Sequence, residues 1–88
     1  MLLAESKMTL TLTNDGVLRL HDLNPDGVRI VVDWEAMVAG SSIFVPCINT
    51  TKALEQVRRV CVNQFEWEIK AKSCFEGDFL GIRVWRLT

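Results

Sequence analysis

The sequence predicts an α+β domain, an antiparallel sheet with one helix packed on it, in the order β-β-β-β-α-β-β. Three observations predict it. Apolar and Thr residues alternate in Met8-Thr9-Leu10-Thr11-Leu12-Thr13, between turn-forming segments. One stretch, Thr51 to Gln64, carries apolar residues at helical spacing. Two strand-like runs, Phe65–Lys72 and Phe79–Leu87, then close the chain on either side of Glu76-Gly77-Asp78.

The elements follow in order. After the first alternating run, Asn14-Asp15-Gly16 supplies a tight turn, since Asp-Gly tolerates positive φ. Val17 to Leu23 reads as the return strand. Asn24-Pro25-Asp26-Gly27 is a second turn, with Pro pre-setting φ. Val28 to Trp34 is β-branched and forms a third strand, completing a meander. Glu35 to Gly40 holds at most one helical turn, ended by Gly40. Ser42-Ile43-Phe44-Val45-Pro46 is the fourth strand, with Pro46 at its end because proline cannot donate to a ladder.

Asn49, Thr50 and Thr51 are consecutive N-cap candidates for the helix. Ala53, Leu54, Val57, Val60 and Cys61 trace its apolar face, and Lys52, Glu55, Gln56, Arg58, Arg59 and Asn63 the remainder. In the run after it, Phe65, Trp67, Ile69 and Ala71 share one face; Glu66, Glu68, Lys70 and Lys72 share the other. In the last strand Leu80, Ile82 and Val84 face the core. Arg83 and Trp85 then stand on the outer face with the Glu/Lys row.

Size and composition bound the function. Eighty-eight residues make one domain, spanning 1–88. A chain this short buries roughly 60–65% of the surface its unfolded form exposes. The hydrophobic fraction of 49% and charged fraction of 24% are those of a globular protein. A net charge of −1 excludes binding to nucleic acid by bulk charge alone. Residues 1–45 hold three basic and six acidic groups, a net of −3; residues 46–88 hold seven and five, a net of +2. A polyanion contact therefore belongs to the C-terminal half.

Cys47, Cys61 and Cys74 lie about fourteen residues apart, without a C-x-x-C pair, and His21 is the sole imidazole. That spacing does not suit a zinc tetrahedron, so no metal and no cofactor are expected. Three thiols with no even pairing suit a reducing cytosol. The N-terminus lacks the form of a signal peptide, and no eighteen-residue apolar run exists to span a membrane. The expectation is a cytoplasmic protein without membrane contact.

Nucleophilic catalysis needs a nucleophile beside a base, and His21 lies on a strand of the acidic half. The Asp33/Glu35 and Glu66/Glu68 pairs could do acid–base work, but Glu66/Glu68 followed by Lys70/Lys72 read more simply as a solvated face. The chain is therefore not expected to be an enzyme. Arg58, Arg59, Lys70, Lys72, Arg83, Trp85 and Arg86 form a basic and aromatic set suited to phosphates and bases. The competing structural reading has Arg83 paired across the hairpin with a glutamate and Trp85 packed. A third feature is apolar. Both faces of the last strand carry large side chains, and one helix covers only one face. Self-association or a partner protein would cover the other.

Gly40-Ser41-Ser42-Ile43-Phe44-Val45-Pro46 and Gly81-Ile82-Arg83-Val84-Trp85-Arg86 resemble segments of small uncharacterised phage-encoded proteins. Those share Gly-x-Ser-x-Phe-Val/Ile-Pro, a basic helix and a terminal Gly-x-Arg-Val-Trp-Arg. Asp33-Trp34-Glu35-Ala36-Met37 belongs to the same pattern, so the resemblance covers residues 33–86. It implies a viral origin and a role in infected bacterial cytoplasm, and supplies no activity. The expected function is a non-enzymatic phage accessory protein that binds nucleic acid through its basic helix and C-terminal hairpin. The alternatives are a host-directed protein-interaction module and a small virion component.

Overall fold

The computed structural model describes residues 10–13, as backbone, and residues 20–88. The order is β1 (Leu10–Thr13), β2 (Arg29–Val32), a 3₁₀ turn at Trp34–Ala36, β3 (Ser42–Pro46), α1 (Thr50–Arg58) continuing as a π-helical stretch Arg59–Gln64, β4 (Ile69–Glu76) and β5 (Phe79–Arg86). This is the α+β class expected. Its strands form two antiparallel sheets, β1-β2 and β3-β5-β4.

The N-terminal meander takes a different form. β1 pairs directly with β2, Leu12 opposite Ile30. Of the expected return strand Val17–Leu23, residues 20–23 are described, and they do not lie between the two strands. Leu20 and His21 form a turn, and Leu23 makes an isolated bridge to the same Ile30. Residues 14–19, with the Asn14-Asp15-Gly16 turn, lie outside the described residues, as do residues 8 and 9 of the first run. Short bonds between Asn24 and the helix hold the bridge segment: Asn24 N donates to Gln56 Oε1 at 2.7 Å, and Gln56 Nε2 donates to Asn24 Oδ1 at 2.7 Å. A polar side chain as buried as Gln56 requires such partners.

The helix begins as its sequence dictates. Of the three cap candidates, Asn49 acts, its Oδ1 accepting from Lys52 N at 3.0 Å. Ala53, Val57, Val60 and Cys61 are fully buried against Ile43, Val45, Ile82 and Val84, with Trp34, Met37, Ile30 and Leu23 completing the core. The helix therefore lies on the inner face of the three-stranded sheet.

The run after the helix corrects the expected strand Phe65–Lys72. The helix ends one turn wide, with Phe65 N donating to Val60 O at 3.0 Å and Trp67 N to Cys61 O at 2.8 Å. Glu66 takes φ +60 to make that closure, which resembles a glycine-type C-cap. The alternation at 65–68 thus belongs to a cap rather than a strand. Phe65 and Trp67 still turn inward, stacked at 4.8 Å, with Trp67 edge-on and Phe65 tilted to Trp34. β4 starts at Ile69 and runs further than expected, to Glu76.

β4 and β5 pair without interruption from Ile69↔Arg86 to Glu76↔Phe79. Gly77 at φ +62 opens a two-residue turn with Asp78, the II′ arrangement that suits the twist of a hairpin. No helix among the described residues is long and apolar enough to cross a membrane.

Candidate functional site

Strand parity sorts the C-terminal side chains. Ile43, Val84 and Ala71 stand in one row on the helix side, as do Val45, Ile82 and Ser73. The outer face carries the rows Ser42-Trp85-Lys70, Phe44-Arg83-Lys72 and Pro46-Gly81-Cys74, then Phe79-Glu76. Lys70, Lys72, Arg83 and Trp85 therefore share the outer face, as expected. Glu66 and Glu68, expected beside them, precede the strand.

Arg83 is committed within the chain. Its Nε donates to Glu76 Oε2 at 2.7 Å, its Nη2 donates to Glu76 Oε1, and its Nη1 donates to Ser42 Oγ at 3.0 Å. The cross-hairpin glutamate partner is thus Glu76. The fork holds the Glu76 carboxyl below the usual carboxylate range, chiefly through these hydrogen bonds, against a smaller opposing effect of burial. Beneath it, Phe44 lies on the outer face yet is only 6% exposed. Its ring crosses Gly81, where an added Cβ would stand 2.2 Å from Val45 O and 2.7 Å from the ring. The Arg83 guanidinium lies over that ring at 5.8 Å. Glycine, aromatic ring, guanidinium and carboxylate thus build one stack.

Arg86 points the other way. It lies over Trp67 at 3.9 Å, donates from Nη1 to Met37 O at 2.7 Å and from Nε to Thr88 O at 3.0 Å. Arg59 donates to Leu20 O at 2.8 Å and Asp22 O at 2.9 Å, holding the 20–22 turn on the helix. Arg58 is exposed on the helix, across the sheet from Lys70 and Lys72. The seven candidates therefore do not form one basic surface. Lys70, Lys72 and a half-buried Trp85 remain together on the outer face, with the Lys70 ammonium 5.9 Å above the Trp85 ring.

The spacing of motifs gave no signal for a second surface at the turn end of the hairpin. Asp26, Pro46, Cys47, Ile48, Asp78, Phe79 and Leu80 line a cleft of about 270 Å³. Asp26 shapes its wall by accepting from Ile48 N and Asn49 N, each at 2.8 Å. That double contact fixes the loop before the helix and turns the Ile48 side chain outward, 80% exposed. Phe79 is 66% exposed. A lone apolar Ile48 between Cys47 and the cap Asn49 is the trace this leaves in the sequence. Burial, with Asp26 adding to it, pushes the Cys47 thiol up to about 11, so it stays protonated and weakly nucleophilic. Burial likewise pushes Cys61 up to about 12.

A second cleft, of about 220 Å³, is lined by His21, Val32, Asp33, Trp34, Glu35 and Phe65. There the imidazole packs on the Phe65 ring at 4.7 Å, and Trp34 Nε1 donates to His21 O at 2.6 Å. Among the described residues no three His, Cys, Asp or Glu side chains gather as metal ligands. Compared with known proteins, the chain matches no protein-family model, no curated protein and no solved structure.

Proposed function

We propose that the protein is a non-enzymatic binding module that holds a protein partner at the hairpin-end cleft. The observation that carries this is the pair Ile48 and Phe79, both large and mostly exposed, beside a cleft edged by Asp26 and Asp78. Apolar side chains with carboxylates around them suit a partner segment that presents a large apolar residue next to a lysine or arginine. With the viral origin that the resemblance implies, the partner is a protein of the infected bacterium, inhibited or redirected by the contact.

A second reading keeps nucleic acid as the ligand. Lys70, Lys72 and Trp85 favour it, since two ammonium groups beside an indole can hold a phosphate and stack a base. Three of the arginines that prompted that reading already have carboxylate or carbonyl partners, which weakens it.

Two assays separate the readings. Tagged protein should capture one stoichiometric partner from nuclease-treated bacterial lysate, and Ile48→Asp with Phe79→Asp should lose it. Capture unchanged by those substitutions would overturn the cleft reading. Anisotropy with labelled single-stranded DNA and RNA at low salt tests the second. Binding that falls with salt and is lost in Lys70→Ala plus Lys72→Ala would favour nucleic acid instead.

A further inference from the structure

β4 is an edge strand whose open side has no partner strand among the described residues. It runs eight residues without proline, and its pairing with β5 shows no bulge. Proline and bulges are two of the devices that blunt natural edges; of the others, β4 carries charge, at Lys70 and Lys72. Leu87 N donates to Glu68 O at 2.7 Å, so Glu68 and Leu87 form a hydrogen-bonded pair. Hydrogen-bonded and non-bonded pairs alternate along an antiparallel ladder. Lys70, Lys72, Cys74 and Glu76 therefore turn their backbone groups to β5. Ile69, Ala71, Ser73 and Phe75 turn theirs to the open edge.

We propose that β4 pairs antiparallel with β4 of a second copy of this chain, about a two-fold axis at Ser73. The two sheets then join as β3-β5-β4-β4-β5-β3. Charge complementarity selects the occupant, and charge together with ladder length selects the register: a centre at Cys74 also sets lysine opposite carboxylate, Lys72 against Glu76, but keeps only the Ser73–Phe75 pairs in phase within the strand. With Ser73 opposite Ser73, Lys70 stands opposite Glu76 of the other copy, twice over. Lys72 meets Cys74, and Ala71 meets Phe75. Moving the register so that Lys72 faces Lys72 sets like charges directly opposite, which is destabilising. The Ser73 register places Lys70 and Glu76 at a non-hydrogen-bonded pair, where side chains approach most closely. It also puts the open-edge groups of Ala71, Ser73 and Phe75 in phase, for about six backbone hydrogen bonds. Phe75, 72% exposed in the single chain, gains Ala71 and Ile69 of the other copy as neighbours. The proposal rests on the open edge of β4 and not on the proposed function.

Sedimentation over a concentration series tests this directly. The wild type should move toward twice the chain mass. Ser73→Pro removes an N–H that points to the open edge, so it should stay monomeric while keeping the wild-type circular dichroism. Should that variant fail to fold, Lys70→Glu, an exposed side-chain change that sets carboxylate against carboxylate, should also be monomeric. For the register, oxidised Lys72→Cys should cross-link between copies through Cys74, because that pair stands about 4.5 Å apart at Cα. A wild type that stays monomeric at its highest soluble concentration would overturn the proposal. So would a dimer indifferent to Lys70→Glu, or wild-type cross-linking through Cys74 alone.

Discussion

Glu66 and Gly81 are the two residues whose backbone matters most to the site. Glu66 holds φ +60, a conformation in which a side chain costs about 1 kcal/mol or more relative to glycine. Glu66→Gly should therefore stabilise the fold by about 0.5–1 kcal/mol, read as a higher denaturation midpoint with unchanged slope. Gly81 is the opposite case. Its missing Cβ leaves room for Val45 O and the Phe44 ring, and β3 cannot withdraw without losing its ladder to β5. Gly81→Ala should cost about 2–3 kcal/mol in denaturant unfolding, with loss of the near-ultraviolet signal of the packed aromatics. The role of Gly81 was not legible in the sequence, because a glycine inside a strand does not reveal which ring lies across it.

At the scale of elements, the helix was legible from its spacing, since four of its five apolar positions are fully or almost fully buried. The segment after it was not. Phe65-Glu66-Trp67-Glu68 alternates like a strand, but the wide last turn of the helix captures Phe65 and Trp67 N–H groups and delays β4 to Ile69. The inward faces of Phe65 and Trp67 were right for another reason: a cap can set two aromatics side by side as well as a pleat can. In the hairpin, the Glu76–Arg83 fork should tie stability to pH. Glu76 is depressed in the folded state, so its contribution is full above its ordinary value and is lost as pH falls through the lowered folded one. Glu76→Gln should lower the melting temperature at neutral pH, by an amount equivalent to about 1 kcal/mol given its partial exposure. The difference from wild type should vanish in acid. A gap that persists at low pH would show that the carboxylate charge is not its source.

For the whole molecule, strand parity decided how much of the expected site survived. Arg83 and Trp85 are odd-numbered and face outward; Arg86 is even-numbered and turns onto Trp67 beside the core. That much could be read from the alternation itself. The helix arginines are separated from the hairpin lysines by the sheet, a relation that only the packing of α1 on the inner face defines. What emerges instead is a sheet with three unlike surfaces: the outer face with Lys70, Lys72 and Trp85, the open edge of β4, and the cleft by Ile48 and Phe79. The central claim is that the cleft is where the partner sits. Backbone amide chemical shifts of the labelled protein, followed as the captured partner is titrated in, test it most directly. The largest changes should fall on Cys47, Ile48, Asp78, Phe79 and Leu80, with Lys70, Lys72 and Trp85 little moved. Changes centred on Lys70, Lys72 and Trp85, with the cleft residues still, would contradict it.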